Sequence, residues 1–246
     1  MNGARPAKRW WRMPWLDNLR RRLSYLIFVQ LPQDWVPAVP QAELLPPLEE
    51  RHASFLVNVL EETLESDIHE VAASLIQQAD RDYALLWPGE HYRLLAGFAS
   101  AMRPSLAVEI GTWQGAAAAV LADKSARVVT FDVVPLNEIP GAICDLVERY
   151  PNVTQVICDL ILDENRSVYA DLFQRAELVF VDGPKDGVFE PTVVPKILEM
   201  MRPGSVMVLD DIRFAGMQDL WRFKINYPRI DLGSFGHSSG TGVVFR

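Results

Sequence analysis

From residue 106 onward, short runs of apolar, β-branched residues alternate with stretches whose apolar positions recur at helical spacing. The runs at 106–110, 127–131, 153–157, 178–181 and 205–209 predict strands, and 116–124, 141–150, 167–175 and 191–201 predict the helices between them. Near-continuous apolar strands joined by helical crossovers are the pattern of a parallel sheet buried on both faces. Two last runs, 230–235 and 242–245, flank the small polar stretch Gly236-His237-Ser238-Ser239-Gly240-Thr241 and predict an antiparallel pair closing one sheet edge. The expected fold class is α/β: a doubly wound, mostly parallel seven-stranded sheet with an antiparallel C-terminal strand pair.

Upstream the period is helical. Residues 49–80 place Phe55, Val59, Leu60 and Leu64 on one side, and a second helix is predicted over 90–102, ending before Pro104. Pro32, Pro37, Pro40, Pro46 and Pro47 block regular structure over 32–47 and predict a linker. Before it, Leu16, Leu19, Leu23, Leu26 and Ile27 share a helical face beside Arg20, Arg21 and Arg22, following Trp10, Trp11 and Trp15. Such a basic amphipathic arm suits peripheral contact of residues 1–30 with a membrane surface; a docking helix or an oligomer contact fits it equally. The expected division is a basic, Trp-rich arm and linker at 1–47 and a main domain at 48–246 with N-terminal helices.

Charge separates the same two parts. Residues 1–30 hold seven basic residues and one acidic, a net +6, which leaves −14 for the rest of a chain whose net charge is −8. An acidic body argues against nucleic-acid binding, which needs a basic groove. No stretch reaches the roughly 18 apolar residues that a spanning helix requires. The apolar run 23–31 is followed by no small-residue cleavage site, so the expected location is cytoplasmic. Cys144 and Cys158 form no metal spacing and read as buried thiols in a reducing compartment.

The chemistry concentrates at strand ends. The first strand runs into Glu109-Ile110-Gly111-Thr112-Trp113-Gln114-Gly115 and then an alanine-rich helix, an arrangement in which a ligand approaches backbone closely. Its spacing departs from the dinucleotide fingerprint GxGxxG, and an acid at Glu109 would repel a pyrophosphate but suit a ligand bearing an ammonium group. Asp132 ends the next strand, about 20 residues on, where an acid commonly takes ribose hydroxyls. Asp159 follows the third strand, either as a ligand contact or as a cap on the next helix. The expectation is that Glu109 and Asp132 flank one cavity. Trp113 reads either as a stacking surface or as filler between helix and sheet.

This segment resembles the first motif of class I S-adenosylmethionine-dependent methyltransferases, over roughly residues 90–246. The resemblance implies a Rossmann-like methyltransferase fold, S-adenosylmethionine as cofactor, and contacts from Glu109, Gly111, Thr112, Gly115, Asp132, Asp159 and Asp182. The segments Val181-Asp182-Gly183-Pro184-Lys185 and Leu209-Asp210-Asp211 are similar to those of the catechol and caffeoyl-coenzyme A O-methyltransferase group. That likeness implies a divalent cation (Mg²⁺, Mn²⁺ or Ca²⁺) held by Asp182, Asp210 and Asp211, with Lys185 as general base. Asp211 departs from the group's asparagine. Three converging carboxylates call for a counter-cation or a proton, and a metal would orient an acceptor hydroxyl. Equally, Asp210 and Asp211 would end a strand and shape a turn, and Lys185 would pair with Asp186 in a solvated loop.

The expected activity is methyl transfer to a hydroxyl oxygen of a small-molecule or sugar-like acceptor. A nicotinamide-dependent oxidoreductase is the alternative enzyme, opposed by the missing GxGxxG. A tethered, non-catalytic methyltransferase-like protein is opposed by the costly cluster of acids. His237 sits in the last connection as a candidate base or a plain loop residue, and His52, His69 and His91 show no partner spacing.

Overall fold

In the computed structural model, residues 46–75, 77–85, 91–235 and 239–246 are described. The basic arm and most of the proline-rich linker lie outside the described residues, as does His237. In chain order the elements are α1 (Glu50–Glu65), α2 (His69–Ser74), α3 (Gln78–Ala84), α4 (His91–Met102), β1 (Ala107–Ile110), α5 (Ala116–Ala122), β2 (Val128–Asp132), α6 (Leu146–Arg149), β3 (Val153–Ile157), α7 (Asp163–Val168), α8 (Ala170–Arg175), β4 (Leu178–Val181), α9 (Phe189–Met200), β5 (Val206–Leu209), α10 (Ala215–Asp219), β6 (Arg229–Asp231) and β7 (Gly242–Phe245).

The seven strands form one sheet in the order β3-β2-β1-β4-β5-β7-β6. The first five are mutually parallel, and β7 runs antiparallel to both β5 and β6. Alternate strand residues feed two apolar layers. Ala107, Val128, Leu178, Phe180 and Val206 join Leu94, Phe98 and the alanines of α5 in one. Val108, Ile110, Val129, Val179 and Met207 join Phe173, Val194 and Ile197 in the other. Burial on both faces explains why these strands read as apolar throughout. The order reverses between β1 and β4, and that reversal opens a crevice beyond the carboxyl ends of the strands.

Several boundaries differ from the sequence expectation. The single helix expected at 49–80 is three, because after Ser66 the Asp67 carboxylate accepts the His69 N–H and starts a new one. The helix expected at 141–150 is only the single turn α6, and that expected near 167–175 is split at Tyr169. The strand expected at 230–235 stops at Asp231, whose Oδ1 accepts the Gly233 N–H at 2.6 Å and turns the chain. Helix α10 and the π-helical turn Leu220–Lys224 were not anticipated. Cys144 is exposed and Cys158 half-buried, so neither is the buried thiol expected. Among the described residues, no helix is long and apolar enough to cross a membrane.

Candidate functional site

The turn after β1 is held by its neighbours. Gly111 has φ +99°, and a Cβ there would lie 2.1 Å from the Asp182 carbonyl oxygen, so only glycine lets β1 and β4 end this close together. Gly115, at φ +86°, caps α5, and its N–H donates to Thr112 O at 2.8 Å. Thr112 is buried, and its hydroxyl is 2.6 Å from that of Thr130, which ties the turn to β2.

Beyond the turn lies a cavity of about 490 Å³, lined by Gly111, Trp113, Asp132, Cys158, Asp159, Leu160, Asp182 and Phe189 among others. Its volume is in the range of small-molecule sites, roughly 300–1,000 Å³. Asp132 is fixed by three backbone donors: Val133 and Val134 on Oδ1 at 2.7 and 3.0 Å, and Trp113 on Oδ2 at 3.0 Å. Asp159 Oδ1 accepts the Ile161 N–H at 2.9 Å, so this residue both shapes the next turn and lines the cavity. Trp113 has φ +44° and is 60% exposed, a cavity-wall residue and not interface filler.

Glu109 behaves differently. It shares its strand face with Ala107, has no exposed surface, and is absent from the cavity lining, where Asp132 is present. Neither carboxyl oxygen has a hydrogen-bond partner of normal geometry among the described residues. Burial pushes its pKa from an ordinary 4.5 up to about 8; the Thr130 hydroxyl, His91 and the Ala118 N–H offset part of that, and Asp132 adds to it. Of the two acids expected to flank one cavity, Asp132 lines it and Glu109 lies buried behind the strand. Thr112 and Gly115 likewise shape the turn without lining the cavity. Gly111, Asp132, Asp159 and Asp182 are the predicted cofactor residues that the fold brings to one wall.

At the cavity's edge near β4, the Lys185 ammonium donates to Asp182 Oδ1 and lies 3.4 Å from Asp211 Oδ2. Expected as a proton acceptor, Lys185 is engaged as a donor. Asp210 faces a different partner: His91, nearly fully buried on α4, places Nδ1 3.3 Å from Asp210 and Nε2 4.0 Å from Asp182. Asp211 also accepts from the Ser239 hydroxyl. The three acids expected to share a metal thus do not form one donor set. Among the described residues, the donors that converge, with ligand atoms within 4.8 Å of one another, are His91, Asp182 and Asp210. An imidazole in that set departs from the all-oxygen shell that Mg²⁺ and Ca²⁺ prefer, and Lys185 already holds Asp182. His91 had no local signature, because its partners lie about 90 and 120 residues away in the chain.

Residues 108–212 match the model of a family described as a methyltransferase domain. No curated protein matches the sequence. Among similar solved structures, the O-methyltransferase TomG from Streptomyces achromogenes is 21% identical, with 80% of this chain and 99% of that one covered and a TM-score of 0.50. A methyltransferase from Geobacter sulfurreducens is 16% identical, covering 82% of this chain and 100% of that one at a TM-score of 0.51. These likenesses establish the fold. They and the family match lend nothing to the nicotinamide alternative. The glycine turn and the strand-end acids Asp132, Asp159 and Asp182 all fall within the segment that is similar to a methyltransferase domain.

Proposed function

We propose that the protein transfers the methyl group of S-adenosylmethionine to a hydroxyl oxygen of a small-molecule or sugar-like acceptor. The observation that carries this reading is the cavity beyond β1–β4, walled by Gly111, Asp132, Asp159 and Asp182. Three backbone N–H groups occupy most of the Asp132 lone pairs and fix its carboxylate, leaving acceptor capacity on Oδ2 for ribose hydroxyls. Asp159 suits the polar edge of adenine, and Trp113 and Phe189 supply apolar wall for the nucleoside. Glu109, buried and outside the cavity lining, has no direct part in this reading.

Oxygen is favoured as the acceptor atom by the Lys185–Asp182 pair. In an in-line displacement the acceptor oxygen attacks the sulfonium methyl as the carbon–sulfur bond breaks, and the hydroxyl proton must leave. The Lys185 ammonium stabilises the developing oxyanion, and the Asp182 carboxylate beside it receives the proton. The remaining contribution is alignment. Calorimetric titration with S-adenosylhomocysteine tests the cofactor half: one molecule should bind per chain, and Asp132→Ala should weaken binding by roughly 10- to 100-fold, the worth of a charged hydrogen bond. Binding of NADH in place of S-adenosylhomocysteine would reject the assignment.

A further inference from the structure

We infer that Lys185 is a built-in cation occupying the place of a divalent ion, so that the acids after β4 and β5 are compensated by the protein's own side chains. The inference rests on the arrangement of these side chains and not on the identity of the acceptor.

Each acid has its own partner. Asp182 and Asp211 share the Lys185 ammonium, whose side chain is only 11% exposed, and Asp210 faces His91. The lysine is also held in place by its backbone. Lys185 and Asp211 both have positive φ, +53° and +58°, in a region non-glycine residues seldom occupy. The Lys185 N–H donates to Oε1 of the fully buried Glu190 at 2.8 Å. Its carbonyl packs so tightly on Gly216 that a Cβ there would approach it to 2.5 Å. Ser239 fixes Asp211 from the other side. Strained backbone at both members of one ion pair persists only where the surroundings impose it, and a freely solvated loop lysine has no such need.

A metal ion on the remaining converging donors, His91, Asp182 and Asp210, would have to share Asp182 with the ammonium. Two cations on one carboxylate repel, and the lysine is the one tethered to the chain. The likeness to metal-dependent enzymes at Asp182 and Asp210 therefore carries over in position and not in the ion.

The test is binding of Mn²⁺ alone to full-length, metal-stripped protein, read from the electron paramagnetic resonance of the free ion. Wild type should leave the ion free. Lys185→Met should bind one Mn²⁺ per chain at least about tenfold more tightly, because the competing charge is gone. Asp210→Asn added to that variant should abolish the binding, and Lys185→Arg should behave as wild type. If the methionine variant fails to fold, Lys185→Gln replaces it. The inference is overturned by a wild-type protein that binds one Mn²⁺ lost on Asp210→Asn, or by neutral variants that bind no better than wild type. Neither outcome bears on cofactor binding, which is measured separately with S-adenosylhomocysteine.

Discussion

Replacing Glu109 with glutamine tests where this acid points and what burial does to it. The carboxyl has no exposed surface, and its pKa stands at about 8 against an ordinary 4.5. A displacement from 4.5 to about 8 sets the two protonation states apart by several kcal/mol, of the order of RT ln 10 for each pH unit. The sign follows from proton counting. Between pH 4.5 and about 8 the folded protein keeps a proton on Glu109 that the unfolded chain has released, so folding stability falls as pH rises through that window. The contribution is fully retained below the unfolded value and lost by the folded one. Glu109→Gln keeps the size and removes the titration. Urea denaturation of both proteins from pH 5 to pH 9 should show the variant gaining on wild type with a slope approaching 1.4 kcal/mol per pH unit. The gain should level off above about pH 8. A stability difference that stays flat across the range would refute the burial argument. In the same samples, S-adenosylhomocysteine affinity should change by less than about threefold, since Glu109 does not line the cavity; a large loss would restore the reading of Glu109 as the partner of the ligand's ammonium group.

Gly111→Ala meets the Asp182 carbonyl at 2.1 Å from a positive-φ backbone, so thermal denaturation should show a loss of several kcal/mol, or no folded protein. Thr112→Val removes the hydroxyl pair with Thr130 and should cost about 0.5–1.5 kcal/mol in urea denaturation while leaving S-adenosylhomocysteine affinity nearly unchanged. Trp113→Ala should do the reverse, weakening the ligand in calorimetry at an unaltered melting temperature, because the side chain is exposed on the cavity wall. Lys185→Met should lower kcat for an identified acceptor far more than it raises the cofactor Kd, and unchanged turnover would remove Lys185 from the reaction.

The sequence alone determined the strand–helix alternation, the glycine turn and the ends of the strands, because each is written in residues close together in the chain. β3 and β4 lie at the residues expected, and Asp132, Asp159 and Asp182 stand at or just beyond the ends of β2, β3 and β4, at the cavity. Period-two alternation says that Glu109 and Ile110 face opposite ways. It does not say which face is sealed by a helix and which opens on a cavity. That was decided by α4 and α5 covering the Glu109 side of β1, which buries a carboxyl that the linear pattern placed against the ligand. The partners of the acids were equally beyond local reading. His91 reaches Asp210 from a helix more than 100 residues earlier, and Lys185 meets Asp182 and Asp211 from a positive-φ backbone whose N–H donates to Glu190. Charges find their partners through space, and only the packed fold sets those distances.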